Sequence, residues 1–567
     1  MANEPQRPVK VARSDPSMLI VYPLMISIGL RSFISWFGCD NFSAELRELH
    51  QLGDQKMLGR CVRTALSAGR MFSGEAMVEA VSNGGSQSTR ASTGGQDTIG
   101  RRLITLIYPK RSAVVTIQKW IEEGKSVRKY ELNRVVRELR KLRRYKHALE
   151  VCEWMTVRQD MKLLPGDYAI HLDLVAKVRG LASAEKFFED LPEKMKGQAT
   201  CSALLHTYVQ SKLSAKAEAL MEQMSECGLL KNCLPYNHML SLYISNGELE
   251  KALAMIQELK KTTSPDVFTY NLWLNVCALQ NDVKGAEQVF LELKMSKLLE
   301  DWVTYSVLTT LYVKNGLLEK ATRTLKEMEK RVSRKDRVAY PSLISLHASK
   351  GDKDGISQVW TKLKSTFHKM NDAEYTCMIA SLLKLGDFEE AENIYTEWET
   401  VSGTGDSRVP NLLLAAYINK DQLEKAESFY NRVVQKGIAP SYNTYELLTW
   451  GYLGKKMDKV LENFEKAIKS VKKWDPDNRM VREIFSNLEK EGNVDGAEKF
   501  LVILREAGHV TTQIYNSLLR TYMNAGKMPL IVAERMEKDK VQLDEDTHQL
   551  IKSTSKLCVG EISTIFS

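Results

Sequence analysis

Residues 264–336 read SPDVFTYNLWLNVCALQNDVKGAEQVFLELKMSKLLEDWVTYSVLTTLYVKNGLLEKATRTLKEMEKRVSRKD, two consecutive copies of one pattern. Asp266, Asp301 and Asp336 fall 35 residues apart, and Tyr270, Tyr305, Tyr340 and Tyr375 keep the same interval. Each tyrosine opens an apolar segment such as Tyr270-Asn271-Leu272-Trp273-Leu274. In the copy that starts at 302, Tyr305, Leu308 and Tyr312 recur on one helical face. Asn315-Gly316 then turns the chain, and Ala321, Leu325 and Met328 recur on a second face. A fixed period in this range marks a repeat array. A helix pair this short cannot cover its own apolar stripe and must stack on its neighbours.

Working outward, the register is carried by a small residue in the middle of each second helix: Ala148, Ala184, Ala217, Ala252, Ala286, Ala321, Ala391, Ala426 and Ala497. This sets twelve units, beginning at 129, 165, 198, 233, 267, 302, 337, 372, 407, 442, 478 and 512, with lengths of 33 to 36 residues. No strand-like alternation competes with the helical period. The expected fold is all-α, a solenoid of about twelve helix-turn-helix repeats over 129–546. A capping helix is expected within 101–128, around VVTIQKWIEEG at 114–124, and a partial helix and tail over 547–567. The marker pattern weakens after Lys527, where Met528-Pro529 interrupts it.

The amino-terminal part is different. Residues 1–56 fit no repeat; Met18–Leu30 is apolar but too short for a membrane span and contains Pro23. From Met57 the chain carries Arg60, Arg63, Arg70 and Arg90 among Ser, Ala and Gly, which is transit-peptide composition. The expectation is that residues 57–100 are an organelle transit peptide with a Gly/Ser-rich linker. Residues 1–56 are then an extension absent from the mature protein, or disordered.

Of 567 residues, 43% are hydrophobic and 27% charged, ordinary for a globular chain but too long for one core. Nine scattered cysteines without a C-x-x-C pair argue for a reducing compartment and against a structural zinc site. The net charge of +9 is concentrated: residues 101–164 hold 17 Lys and Arg against 7 Asp and Glu, leaving 63 against 64 elsewhere. That segment is a candidate phosphate footprint, with Arg134, Arg137, Arg140, Lys141 and Arg144 opposite an apolar stripe of Leu132, Val135, Val136, Leu139 and Leu142.

Catalytic patterns are absent. No H-x-E, H-E-x-x-H or phosphate-binding G-x-x-x-x-G-K-[ST] occurs, and Asp352, Asp354, Asp372, Asp387 and Asp406 recur at helix turns, where aspartate is locally favoured. The expectation is a non-enzyme with no cofactor, metal, membrane or small-molecule substrate.

The run Pro-Asp-Val-Phe-Thr-Tyr-Asn-Leu-Trp-Leu at 265–274 and Asp-Trp-Val-Thr-Tyr-Ser-Val-Leu at 301–308 resembles the pentatricopeptide repeat family, specifically its plain class of 35-residue units, common in plant mitochondria and plastids. The tetratricopeptide alternative is disfavoured because no unit has its Trp-x-x-Leu-Gly start. The resemblance implies a right-handed superhelical solenoid that presents the fifth and last residues of each unit to one base of single-stranded RNA.

Carried over, Ser202 with Asn232 looks like an adenine reader, and Asn237 with Asp266 and Asn271 with Asp301 like uracil readers. Ser306 with Asp336 and Thr376 with Asp406 look like guanine readers, and Asn411 with Ser441 like a cytosine reader. Pro341 with Asn371 cannot read, so the implied tract is A-U-U-G-N-G-C. Leu234, Phe268, Val303 and Val338 match the family's base-wedging place, whereas Arg408 and Asn443 do not. Arg137, Lys141, Lys177, Lys314 and Lys384 are the implied phosphate contacts. Ala169 with Gly197, Glu446 with Asp477 and Arg482 with Thr511 depart from any reader. The implied function is organellar RNA binding in stabilisation, processing or translation, in the mitochondrion or alternatively the chloroplast. A structural subunit of the organelle ribosome or another ribonucleoprotein, and a protein-binding adaptor, are the alternatives.

Overall fold

The computed structural model describes residues 97–106, 112–158, 160–401, 405–471, 474, 477–529 and 531–565, with side chains as far as Ser555. The expectations for residues 1–56 and for 57–96 lie outside the described residues. Among those described there are 27 α-helices, one 3-10 turn at Glu193–Met195, and no strand. No described helix is long and apolar enough to cross a membrane. The described residues divide into two compact units, one ending at Ser333 and the other beginning at Arg334.

The first unit opens with two helices, Ile99–Ile104 and Ala113–Glu122, where the sequence suggests one cap. Six helix pairs follow, from Lys129–Lys141 with Tyr145–Val157 to Trp302–Lys314 with Leu318–Arg331. The second unit runs from Ala339–Lys350 with Lys353–Thr366 through five regular pairs to Thr512–Asn524. There the partner helix is shortened to Val532–Lys538, preceded by Ile531 in the left-handed conformation (φ 51°). The last helix, Glu545–Ile565, packs on Thr512–Asn524 as the first helix of a further repeat would. The expected array end at 546 thus falls on that helix's second residue.

Side-chain size explains the register. All nine marker alanines are 0% exposed, because a methyl is what the closest approach of two helices leaves room for. The unit at 337 breaks the rule with Ile356, also fully buried, but places Gly355 beside it. A Cβ on Gly355 would sit 2.1 Å from Nδ1 of His347, so the missing side chain there accommodates the first helix.

Neighbouring units are joined by a recurring polar staple. The glutamate after the marker alanine accepts from a tyrosine of the next first helix and a cation of the next second helix. Glu287 takes Tyr312 Oη at 3.2 Å and Lys320 Nζ at 2.6 Å; Glu498 takes Tyr522 Oη at 2.9 Å and Arg535 Nη2 at 2.6 Å. Burial beside the carboxylates pushes the Tyr312 and Tyr522 hydroxyls up to about 12. They therefore remain protonated donors at neutral pH.

Candidate nucleic-acid interface

The residues that decide this surface sit where one unit ends and the next begins. Asp301 is the N-cap of Trp302–Lys314, accepting from the Thr304 backbone N at 2.9 Å, as a carboxylate favours at a helix start. From the preceding first helix, Asn271 Nδ2 donates to Asp301 Oδ1 at 3.1 Å, and the Thr304 hydroxyl donates to Asn271 Oδ1 at 2.7 Å. One unit earlier the geometry repeats: Asn237 Nδ2 to Asp266 at 3.2 Å, Thr269 Oγ1 to Asn237 Oδ1 at 2.8 Å, Thr269 N to Asp266 at 2.7 Å. In the second unit, Thr444 Oγ1 donates to Asn411 Oδ1 at 2.9 Å, with Ser441 Oγ 3.5 Å from Asn411 Nδ2. The three asparagines are buried. Each is fixed at its carbonyl by a threonine and keeps one amide proton beyond the cap; at Asp266 and Asp301 the capping carboxylate keeps unused lone pairs, whereas the cap facing Asn411 is the Ser441 hydroxyl.

Other expected readers are placed differently. Ser202 is buried, whereas Asn232 is exposed and turns its Oδ1 to the Leu234 backbone N at 3.1 Å. Ser306 is buried in the first unit, and Asp336 lies in the second. Thr376 Oγ1 donates to its own helix, to the Asp372 carbonyl at 2.7 Å. Asp406 is engaged by Arg408, whose Nε lies 3.0 and 2.9 Å from the two carboxylate oxygens. Of the wedges, Leu234 is exposed, and Phe268, Val303 and Val338 are half-buried.

The cations divide. Arg137 and Lys141 are exposed, and Lys141 pairs with its helix neighbour Glu138 at 2.8 Å. Lys177 pairs with buried Asp173 at 2.8 Å, and Lys384 donates to Ser349 Oγ at 2.9 Å. Lys314 is half-buried, and burial holds its ammonium below the ordinary lysine range. The expected basic stripe needs correction: Arg140 reaches Asp173 at 3.1 Å, and Arg144 caps the carbonyls of Ile104 and Leu106, the latter at 3.1 Å. These two guanidinium groups stitch the amino-terminal helices together, which leaves Arg134, Arg137 and Lys141 exposed. Leu142, expected in the apolar stripe, is 50% exposed because the helix stops at Lys141.

The turn aspartates do not converge. Asp352 contacts His347 and Lys350, Asp387 contacts Lys353, and Asp372 accepts from Trp398 Nε1 at 2.8 Å. Among the described residues no group of three or more His, Cys, Asp or Glu is placed to hold a metal.

The mitochondrial pentatricopeptide repeat-containing protein At4g02820 of Arabidopsis thaliana is 59% identical over 487 residues, covering 85% of this chain and 92% of that protein. The chain belongs to the pentatricopeptide repeat family. The family model described as a pentatricopeptide repeat domain matches residues 219–280 and 263–315, and the PPR repeat model matches 199–229, 303–331, 375–400 and 409–438. A second relative, the Arabidopsis mitochondrial protein At2g20710, is 36% identical over 76% of this chain and 88% of its own length. Among solved structures, the pentatricopeptide repeat protein PPR10 from maize is similar at 17% identity and a TM-score of 0.41, over 82% of this chain and 76% of that one. PPR10 has also been solved in complex with an 18-nt psaJ RNA element.

Two parts of the pentatricopeptide repeat surface escape a reading confined to fifth and last residues. One is the threonine two places into the following helix, Thr269, Thr304 or Thr444, which bonds the asparagine directly. The other is a fourth copy at the carboxyl end. Asn516 Nδ2 donates to Asp544 at 3.1 Å, Thr547 Oγ1 donates to Asn516 Oδ1 at 2.7 Å, and Thr547 N bonds Asp544 at 2.8 Å. Hydrogen bonds from Thr547, then Asn516, hold the Asp544 carboxyl below the usual range. The signal was present in the sequence as asparagine, then aspartate or serine 28 to 30 residues on, then threonine three later.

Proposed function

We propose that the chain is a plain-class pentatricopeptide repeat protein of the mitochondrion that binds single-stranded RNA through unit-by-unit base contacts. It acts by occupancy, in RNA stabilisation, processing or translation. The observation that carries this reading is the asparagine–aspartate–threonine network repeated at 237/266/269, 271/301/304 and 516/544/547. It fixes an amide donor beside a carboxylate acceptor before any partner arrives, and pre-organised directional groups are what recognition of a base edge requires. The mitochondrial names of the relatives support the compartment. Ser202, Asn232, Ser306, Asp336, Thr376, Asp406 and Ser441 complete the proposed reading positions. Leu234, Phe268, Val303 and Val338 are the proposed wedges, and Arg137, Lys141, Lys177, Lys314 and Lys384 the proposed phosphate contacts.

The test is a mobility-shift titration of the purified chain against A-U-U-G-N-G-C RNA and a scrambled counterpart. The expected result is tighter binding of the ordered tract, with Asn271→Ala plus Asp301→Ala abolishing the preference at the third base. Equal affinity for both RNAs would overturn the reading. Co-migration with a ribosomal subunit after nuclease removal of mRNA would point instead to a fixed ribosomal role.

A further inference from the structure

We propose that Arg408 suppresses the base preference of the unit at 372, by occupying Asp406 as an intramolecular substitute for a base edge. The inference rests on the reading above and sharpens it at one position. Arg408 Nε lies 3.0 Å from Asp406 Oδ1 and 2.9 Å from Oδ2, Nη2 also donates to Oδ2, and the Arg408 backbone N bonds Oδ1 at 3.0 Å. A planar guanidinium offers parallel N–H donors to a carboxylate. The guanine edge offers the same pattern through N1–H and the 2-amino group, so the base and Arg408 compete for the same lone pairs.

Local sequence explains why this happens here. Asp266, Asp301 and Asp544 are held by an asparagine and a threonine, all neutral donors, and no cation contacts them among the described residues. After Asp406 the threonine place is taken by Val409, which has no hydroxyl. The fifth-residue place is taken by Thr376, whose Oγ1 is turned back to the Asp372 carbonyl. The carboxylate is left to Arg408, two residues on in the chain. Burial acts to raise the Asp406 carboxyl, but the Arg408 hydrogen bonds outweigh it and hold it low, so the carboxylate is charged and neutralised in place. The Arg408 side chain is 60% exposed, which makes the pair weak and displaceable rather than a permanent block.

The experiment compares the wild-type chain with Arg408→Ala and Arg408→Gln on A-U-U-G-N-G-C RNAs carrying G or A at the sixth base. A parallel set changes the third base as an internal reference. The wild type should distinguish the third base and hardly distinguish the sixth. Both variants should raise the preference for G over A at the sixth about three- to fivefold, the range an exposed ion pair can supply, with third-base preference unaltered. An unchanged or reduced sixth-base preference in both variants, with the third-base preference intact, would overturn the inference and leave the wider reading standing. Loss of third-base preference in the wild type would overturn both. Thermal melts of the variants, expected to match the wild type, separate a change in recognition from a loss of fold.

Discussion

Thr304 braces the proposed reading pair Asn271 and Asp301 without being one of the proposed reading positions. Its hydroxyl is 0% exposed and donates to Asn271 Oδ1 at 2.7 Å while its backbone N bonds Asp301. Thr304→Val keeps the shape but leaves a buried amide oxygen without its donor, a loss of about 1–3 kcal/mol. The expected outcome is a lowered unfolding midpoint together with weakened preference at the third base, measured by denaturant titration and by the RNA shift assay. A variant that loses stability but discriminates as before would mean that Asn271 needs no such brace. The aspartate of this network was legible from the 35-residue spacing, and the asparagine from the resemblance to the pentatricopeptide repeat family. The threonine was not, because a unit-by-unit reading stops at the last residue and the brace comes from the next unit. Likewise Asp406 is indistinguishable from Asp301 by position alone, and its engagement by Arg408 depends on what stands at 376 and 409.

At the scale of the helix pair, the close contact between first and second helices is the controlling feature. All nine marked pairs solve it in the order first helix, turn, alanine, with a glutamate following in several, and the unmarked pair at 337 solves it with Gly355 against His347. Gly355→Ala should therefore cost about 1–3 kcal/mol, since a Cβ there would lie 2.1 Å from the imidazole, which itself contacts Asp352 at 3.0 Å and cannot move freely. Calorimetric melting would check this, and an unchanged midpoint would mean the ring is free to turn. The helix boundaries were readable where apolar periodicity, a capping aspartate and a turn glycine agree, as at Asp301 and Gly316, and less so where the turn residue is Lys212, Asn281 or Asp421. The final pair was not, because Met528-Pro529 shifts the second helix to Val532–Lys538 and removes the alanine marker, so the array looks finished one helix before its last repeat-like contact.

Along the sequence, positive charge and the proposed base-reading residues are distributed differently. The positive excess lies in residues 101–164, yet Arg140 and Arg144 point into the fold, so the surface cations of that helix reduce to Arg134, Arg137 and Lys141. The asparagine networks contain no Lys or Arg. Affinity for the RNA backbone and preference among bases should then be separable by mutation. Each phosphate neutralised on a single strand contributes about −0.7 to the slope of log K against log salt. Replacing Arg134, Arg137 and Lys141 together by alanine should make that slope shallower by about 2 and weaken binding at low salt most, because counterion release is what the three cations supply. The same triple variant should keep its third-base preference, since Asn271, Asp301 and Thr304 are untouched. Titrations at three or more salt concentrations, each with ordered and scrambled RNA, read both quantities at once. An unaltered slope would mean that the basic helix serves only to cap the stack; a lost base preference would mean that backbone grip and base reading are one function rather than two.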